Sequence, residues 1–385
     1  MKRMGWLIVV CCLIFSVVPL EADAAALEVA GKSAVLMDVA TGTVLYEANS
    51  HEALSPASVT KVMTMLLIME AIDNGKINWE DTVTASEAAA SKGGSQVYLK
   101  VGETMTVTDM VKSIAVSSAN DCACAMAEHL YGSEGAFVEQ MNKRAGELGM
   151  NDTTFVNCTG LDDAPEAANH KTSAYDIALM SRQLLKNHPD IKKFTTIWMD
   201  TVRSGAFGLA NTNKMVRFYS GCTGLKTGFT SGAGYCLSAS AQRDGMELIA
   251  VVMGSKTSQE RFAACKSMLD YGFANFALYT PKLETEAQVP VTLGKAGIAT
   301  AVPAEAPALL VEKGQISSIT SEVKLDESVT APVSQGQKLG MLTIRVGEQV
   351  LRQIPLVAEV AVERKNWGDI FVDLLRQVAM AKPRE

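Results

Sequence analysis

The chain has 385 residues, 48% of them apolar and 20% charged, with a formal net charge of −7. That length suits two or three domains. The composition excludes a disordered or collagen-like polymer, and the acidic balance leaves no footprint for nucleic acid. Four histidines are too few for a histidine-rich metal centre.

The chain opens with the basic Met1-Lys2-Arg3, then a nearly unbroken apolar run from Trp6 to Val18, then Pro19 and the small-residue stretch Ala22-Asp23-Ala24-Ala25-Ala26. This order is that of a secretory signal, and the run is too short to span a bilayer comfortably. Residues 1–24 are read as a signal peptide, cleaved after Ala24 or Ala26, which makes the protein exported and extracytoplasmic. Cys11 and Cys12 leave with it; Cys122, Cys124, Cys158, Cys222, Cys236 and Cys265 remain. No CxxC pair exists, which disfavours a zinc ribbon, and spacing leaves any disulfide pairing open.

Ser33 to Tyr46 reads as a hairpin turning at Ala40-Thr41-Gly42. Ser58 to Ile72 reads as a helix, with Val62, Met65, Leu66, Met69 and Ile72 at helical spacing, stopped by Asp73-Asn74-Gly75. Helical patterns follow at Asp109–Ser117, Asn120–Tyr131, Ala136–Leu148 and Ser173–Asn187. Strands are expected at about 216–226, 235–241 and 247–254, the first two flanking the turn Thr230-Ser231-Gly232-Ala233-Gly234, and a helix from Arg261 to Leu278. A domain over 27–280 that begins and ends in strands with helices between is an α/β layer with a sheet built from both chain ends. From Thr280-Pro281 the pattern changes to short β-rich runs (Ala287–Leu293, Ala308–Val311, Ile316–Leu325, Lys338–Val346, Gln349–Val357), a small all-β domain over 281–363. In residues 365–382, Trp367, Ile370, Phe371, Leu374, Leu375 and Val378 recur at helical steps against Lys365, Asp369, Asp373, Arg376 and Gln377. This is an amphipathic helix suited to lie on a membrane rather than cross it.

Three short motifs carry chemistry. In Ser58-Val59-Thr60-Lys61, a serine and a lysine three residues apart on one helical face can share a proton. The hydroxyl becomes a nucleophile if burial or a second cation strips the ammonium of its proton. In Ser118-Ala119-Asn120, at a helix junction, a hydroxyl can relay a proton and an amide can hold a carbonyl. In Lys226-Thr227-Gly228, on a strand, two side chains can receive an anionic end while the backbone faces an extended peptide and Gly228 permits close approach. Each motif is weak alone, and Ser321-Glu322-Val323-Lys324 repeats the first spacing within a strand-like run. The order SxxK, SxN, KTG, on a helix start, a helix junction and a strand, is what makes the set specific.

With the wider segments Ser55-Pro56-Ala57-Ser58, Gly94-Ser95-Gln96-Val97, Gly160-Leu161-Asp162, Ser173-Ala174-Tyr175-Asp176 and Gly224-Leu225-Lys226-Thr227-Gly228, the chain resembles the serine-type D-Ala-D-Ala carboxypeptidases, the low-molecular-mass penicillin-binding proteins. The resemblance implies a penicillin-binding-protein/β-lactamase-like α/β domain, with an antiparallel sheet flanked by helices, followed by a small all-β domain and a terminal helix on the outer face of the cytoplasmic membrane. It implies removal of the terminal D-alanine from peptidoglycan stem peptides ending in D-Ala-D-Ala, acylation by β-lactam antibiotics, and no metal or organic cofactor. Ser58 is the implied nucleophile and Lys61 its base, with Lys226 adding like-charge repulsion at Lys61. The amides of Ser58 and Phe229 hold the oxyanion. Ser118 relays a proton, Asn120 orients the acyl chain, Lys226 and Thr227 take the terminal carboxylate, and Arg261 adds positive charge nearby. One departure is Asn211-Thr212-Asn213, where many members carry arginine between the asparagines. Class A β-lactamases share the three motifs but add a Glu-x-x-Leu-Asn loop; Pro165-Glu166-Ala167-Ala168-Asn169 is one residue short of it and lacks the leucine.

Overall fold

Ser33–Asp38 (β1) and Val44–Ala48 (β2) form the expected hairpin. Its turn is tied by the Asp38 carboxylate, which accepts from the amide and hydroxyl of Thr41 at 2.8 and 2.7 Å. The computed structural model describes residues 27–281, 287–305 and 308–380, so the expected signal peptide lies outside the described residues.

After the hairpin the chain makes a 3-10 turn, Ala57–Thr60, and enters the helix Lys61–Asp73 (α1). The sequence spacing expects one apolar face here. The structure buries Met63, Leu67 and Ile68 as well as Val62, Met65, Leu66 and Met69, because α1 runs through the middle of a core rather than over its surface. Around it pack Val107–Ser117 (α2), Asn120–Tyr131 (α3), Glu134–Glu147 (α4) and Ala174–Asn187 (α5). Side-chain oxygens at Thr106, Ser133 and Ser173 cap three of these helices by accepting from Asp109, Ala136 and Asp176 amides.

Cys222–Thr230 (β3), Gly234–Arg243 (β4) and Met246–Ser255 (β5) complete an antiparallel sheet in the order β2-β1-β5-β4-β3. First and last strands of the domain thus pair directly. Both faces of the sheet are covered. Val35, Met37, Ile249 and Val251 face the helical core. Ala34, Leu36, Leu248 and Ala250 face Ser258–Asn275 (α6). Several boundaries differ from expectation, such as a start at Ser258 for the helix expected from Arg261 and at Ile319 for the strand expected from Ile316, which follows a 3-10 turn at Lys313–Ser318; two others have a visible cause. The strand expected from 216 begins at Cys222, because Asn213 Oδ1 accepts from the Met215 amide at 3.1 Å and starts a helical turn, Met215–Phe218. The helix expected to Leu278 ends at Asn275, where Phe276–Tyr279 (β6) extends to pair elsewhere.

The C-terminal unit is Gln288–Thr292 (β7), Ile298–Pro303 (β8), Leu309–Glu312 (β9), Ile319–Leu325 (β10), Val329–Thr330 (β11), Lys338–Val346 (β12) and Gln349–Ala358 (β13). Strand β8 is not anticipated by the sequence pattern. Six strands form one sheet, β10-β12-β13-β8-β7-β11, and β6 pairs with β9 as a separate ribbon. The ribbon joins the units: Phe276, Leu278 and Leu310 pack on the α6 core, while Tyr279 and Leu309 pack on the core of the β unit. The chain ends in Trp367–Met380 (α7).

Leu66 is fully buried at the centre of α1. Leu66→Ala is expected to lower unfolding stability by about 2–5 kcal/mol. Val350→Ala, at an exposed strand position, should change it by less than about 0.5 kcal/mol. Denaturant melts of both variants check the contrast.

Candidate active site

The Ser58-Val59-Thr60-Lys61 motif sits on the 3-10 turn and the head of α1 rather than inside the α-helix. A 3-10 helix has three residues per turn, so positions i and i+3 eclipse. Ser58 and Lys61 are therefore stacked more directly than an α-helix would stack them. Lys61 Nζ lies 3.0 Å from Ser58 Oγ and donates to the carbonyl of Thr159 at 2.8 Å. The side chain of Lys61 is fully buried. Burial lowers its pKa to about 7, against the opposing pull of Asp121. At neutral pH a large share of Lys61 is thus a neutral amine, with its lone pair available to the serine proton.

Thr159 acts through its carbonyl, which no side-chain motif announces. Asn157 Oδ1 fixes that loop by accepting from the amides of Thr159 and Gly160 at 3.1 and 2.6 Å. Below it, Glu134 accepts from the Cys158 amide at 3.2 Å and pairs with Lys92 at 2.6 Å. The six described cysteines are free thiols. Burial pushes Cys122 well up; a hydrogen bond with Cys124 and burial do so at Cys158. Both stay protonated and act as packing beneath the site.

Helix α2 is closed by its C-cap residue Ser118, in a left-handed conformation with φ +64. This single residue turns the chain so that Ser118 and Asn120 come from different helices into one corner. Asn120 Nδ2 donates to the Gly93 carbonyl at 2.7 Å, and its backbone amide donates to Ser95 at 2.7 Å. Ser118 Oγ and Asn120 Oδ1 are buried and have no partner among the described residues, which is unusual for buried polar atoms. Asp121, which the sequence reading passed over, is fully buried. It accepts from the amides of Val97 and Leu99 at 3.1 and 3.0 Å, and so folds the 93–99 loop against Asn120.

The third motif runs along β3, the edge strand nearest the turn. Gly228 is required by contact: a Cβ there would stand 2.6 Å from the Pro56 carbonyl and 3.1 Å from the Ser58 amide. The Ser58 amide is therefore brought beside the β3 backbone, where the Phe229 amide follows. Phe229 itself is half exposed and stacks on Tyr235, with centroids 4.3 Å apart. Lys226 is buried, and burial holds its pKa well below the usual lysine range, helped by the charges of Lys61 and Arg261. Of the two causes that the sequence offers for a depressed lysine, burial is the larger at both Lys61 and Lys226. Arg261, on α6, donates to the Gly228 and Cys236 carbonyls at 2.9 and 3.3 Å and braces the β3–β4 pair. Thr227 Oγ1 donates to Thr212 Oγ1 at 2.7 Å. The threonine between the two asparagines is thus a direct neighbour of the third motif.

The arrangement pairs a hydroxyl with a buried amine, two unsatisfied polar groups and a strand that carries Lys226 and Thr227 beside Arg261. This suits acyl transfer from a peptide that ends in a carboxylate. Comparison with known proteins gives the same direction. Residues 20–257 match the family described as D-alanyl-D-alanine carboxypeptidase, and residues 278–364 match the C-terminal domain of penicillin-binding protein 5. The D-alanyl-D-alanine carboxypeptidase DacF of Bacillus subtilis is 45% identical over 334 residues, covering 85% of each chain. Penicillin-binding protein 5 of Haemophilus influenzae is 30% identical in sequence and superposes with a TM-score of 0.74, over 88% of this chain and 98% of that one. Penicillin-binding protein D2 of Listeria monocytogenes, solved in its ampicillin-bound form, is 32% identical with a TM-score of 0.59, over 64% of this chain and 99% of that one.

The amine of Lys61 is expected to titrate at about 7 rather than at the ordinary 10.5. Between those two values the unfolded chain keeps a proton that the folded chain has lost. This group therefore makes stability rise with pH across that window. Nuclear magnetic resonance titration of labelled lysine, with Lys61→Met for assignment, checks the value. A midpoint near 10.5 would mean that the ammonium is solvated.

Proposed function

The chain belongs to the D-alanyl-D-alanine carboxypeptidase family, and from that premise we propose that Ser58 is its nucleophile, acting on peptidoglycan stem peptides that end in D-Ala-D-Ala. The observation that carries the proposal is the 3.0 Å contact between Ser58 Oγ and a fully buried Lys61 Nζ. In its neutral form Lys61 accepts the Ser58 proton as Oγ attacks the carbonyl carbon of the penultimate D-alanine. The backbone amides of Ser58 and Phe229 receive the oxyanion. Collapse of this intermediate expels the terminal D-alanine, whose nitrogen takes a proton through the Ser118 hydroxyl. An acyl-enzyme ester on Ser58 remains, and water hydrolyses it to release the shortened peptide.

Asn120 supports the acyl chain: with Nδ2 committed to Gly93, its Oδ1 is left to accept a substrate amide. Lys226 and Thr227 receive the terminal carboxylate, and Gly228 lets the substrate backbone lie along β3. Arg261 contributes mainly by bracing that strand and by its charge. A β-lactam places a strained amide where the D-Ala-D-Ala bond would lie, so it acylates Ser58 by the same route.

The division of labour is part of the proposal: residues 27–280 form the catalytic domain, 281–363 the small β domain and 365–382 a membrane-associating helix. Trp367, Phe371, Leu374 and Leu375 on α7 are all exposed, Trp367 by 87%. Such a row of large apolar side chains suits the outer face of the cytoplasmic membrane. Among the described residues no helix is long and apolar enough to cross a membrane.

Intact-mass measurement with benzylpenicillin is expected to give a lasting adduct on Ser58 and none in Ser58→Ala. D-alanine release from a muropentapeptide should be lost in the same variant. The acylation rate should rise with pH through about 7 as Lys61 loses its proton. Rapid penicillin turnover without a lasting adduct would instead indicate a β-lactamase. Deleting residues 365–385 should release the protein from membranes with hydrolysis intact; continued sedimentation with membranes would rule out the helix as anchor.

A further inference from the structure

The residue before the nucleophile is held in an unusual conformation. Ala57 has φ +49, a left-handed value that is unfavourable for a non-glycine residue and persists only where surroundings enforce it. Its carbonyl packs on Gly160, where a Cβ would stand 1.8 Å from the oxygen. The same carbonyl accepts from Thr60 Oγ1 at 2.8 Å. Thr60 Oγ1 lies 2.8 Å from His170 Nε2, and His170 Nδ1 accepts from the backbone amide of Val156 at 3.1 Å. Thr60 and His170 are both buried, and the edge of the imidazole meets Phe155 with centroids 5.7 Å apart.

Every proton in this row has one place to go. A backbone N–H only donates, so Nδ1 must carry a lone pair and the neutral ring keeps its proton on Nε2. Nε2 therefore donates to Thr60, which is left with its own proton for the Ala57 carbonyl. An imidazolium would set an N–H against the Val156 N–H. Burial, with the charge of neighbouring Lys171, keeps the ring neutral by lowering its pKa to about 4.

We propose that His170 is a positioning residue for Ser58: acting through Thr60, it locks the Ala57 carbonyl and so fixes the turn that aims both the hydroxyl and the amide of Ser58. The proposal rests on the assignment of Ser58 as nucleophile. His170 touches no reacting atom. Its effect is on the geometry of attack, and belongs in kcat and in acylation rather than in substrate affinity.

The full chain with His170→Phe keeps a ring of similar size but loses both nitrogens. Its kcat for D-alanine release and its rate of Ser58 acylation by benzylpenicillin should fall about 10- to 100-fold, with KM changed by less than about threefold. His170→Gln offers an acceptor and a donor on one planar group, and should recover to within about fivefold of the original chain. Thr60→Val keeps the volume and removes the hydroxyl; it should match the loss in His170→Phe, and the double variant should lose little more. A His170→Phe chain with unchanged kcat, a His170→Gln chain as slow as His170→Phe, or fully additive losses would each overturn the proposal. If His170→Phe does not fold, the contrast between a slow Thr60→Val and a fast His170→Gln decides, and its reversal counts against the relay. Failure of the unmodified chain to take an adduct on Ser58 is a separate result, which removes the nucleophile assignment itself.

Discussion

Burying an ammonium group is expensive unless oxygen atoms surround it or its proton is given up. The site depends on how that cost is met at Lys61. The Thr159 carbonyl and the Ser58 hydroxyl are its close partners, and Asp121 supplies a more distant opposing charge. Together they hold the amine without fully stabilising its positive form. A stronger partner, such as a carboxylate in direct contact, would keep the lysine protonated and useless as a base. The two neutral oxygens leave it near the balance point at which it can take a proton and return it. Much of the surrounding architecture serves to keep the Thr159 carbonyl in place: the Asn157 turn, Glu134 with its Lys92 partner, and the buried thiols packed among them.

The three motifs come from distant parts of the chain, so their alignment has to be enforced by contacts between backbones. Glycine marks two of these. At Gly228 the edge strand touches the Pro56 carbonyl, and at Gly160 a loop touches the Ala57 carbonyl; a methyl group at either point would push the turn away. The strand itself is steadied by Arg261, whose Nη1 donates to both the Gly228 and Cys236 carbonyls. Strand and turn thus both constrain the Ser58 amide, as the proposed oxyanion role would require of a group that must not move during reaction.

Much of this was legible in the sequence because the side chains concerned announce themselves by type and spacing. Ser58 and Lys61, Ser118 and Asn120, and Lys226 with Thr227 needed only the order of the motifs. What stayed hidden acts through the backbone or at long range. The Thr159 carbonyl has no side-chain signature. Asp121 looks like an ordinary helix-start acid, and His170 reads as one more residue of a polar loop. The fold shows the same division. Capped helices and alternating strands were readable, but the burial of residues 61–69 of α1 on every side was not, because the sequence does not say how many neighbours will surround a helix. Nor was the end of α6, where Phe276–Tyr279 leaves the helix to pair with Leu309–Glu312, much later in the chain.

The second SxxK sequence shows why spacing alone carries so little chemistry. Ser321 and Lys324 lie on β10, where successive side chains alternate between faces. An offset of three therefore sends them to opposite sides of the sheet, and both are exposed. No turn stacks the hydroxyl over the amine, and nothing strips water from the ammonium. At Ser58 the same four-residue pattern is bent into a 3-10 turn, which aligns the pair, and is placed at the head of a helix whose residues 61–69 are all buried, which desolvates it. Local conformation supplies the first condition and tertiary burial the second. A serine and a lysine become a nucleophile and base only where both are met.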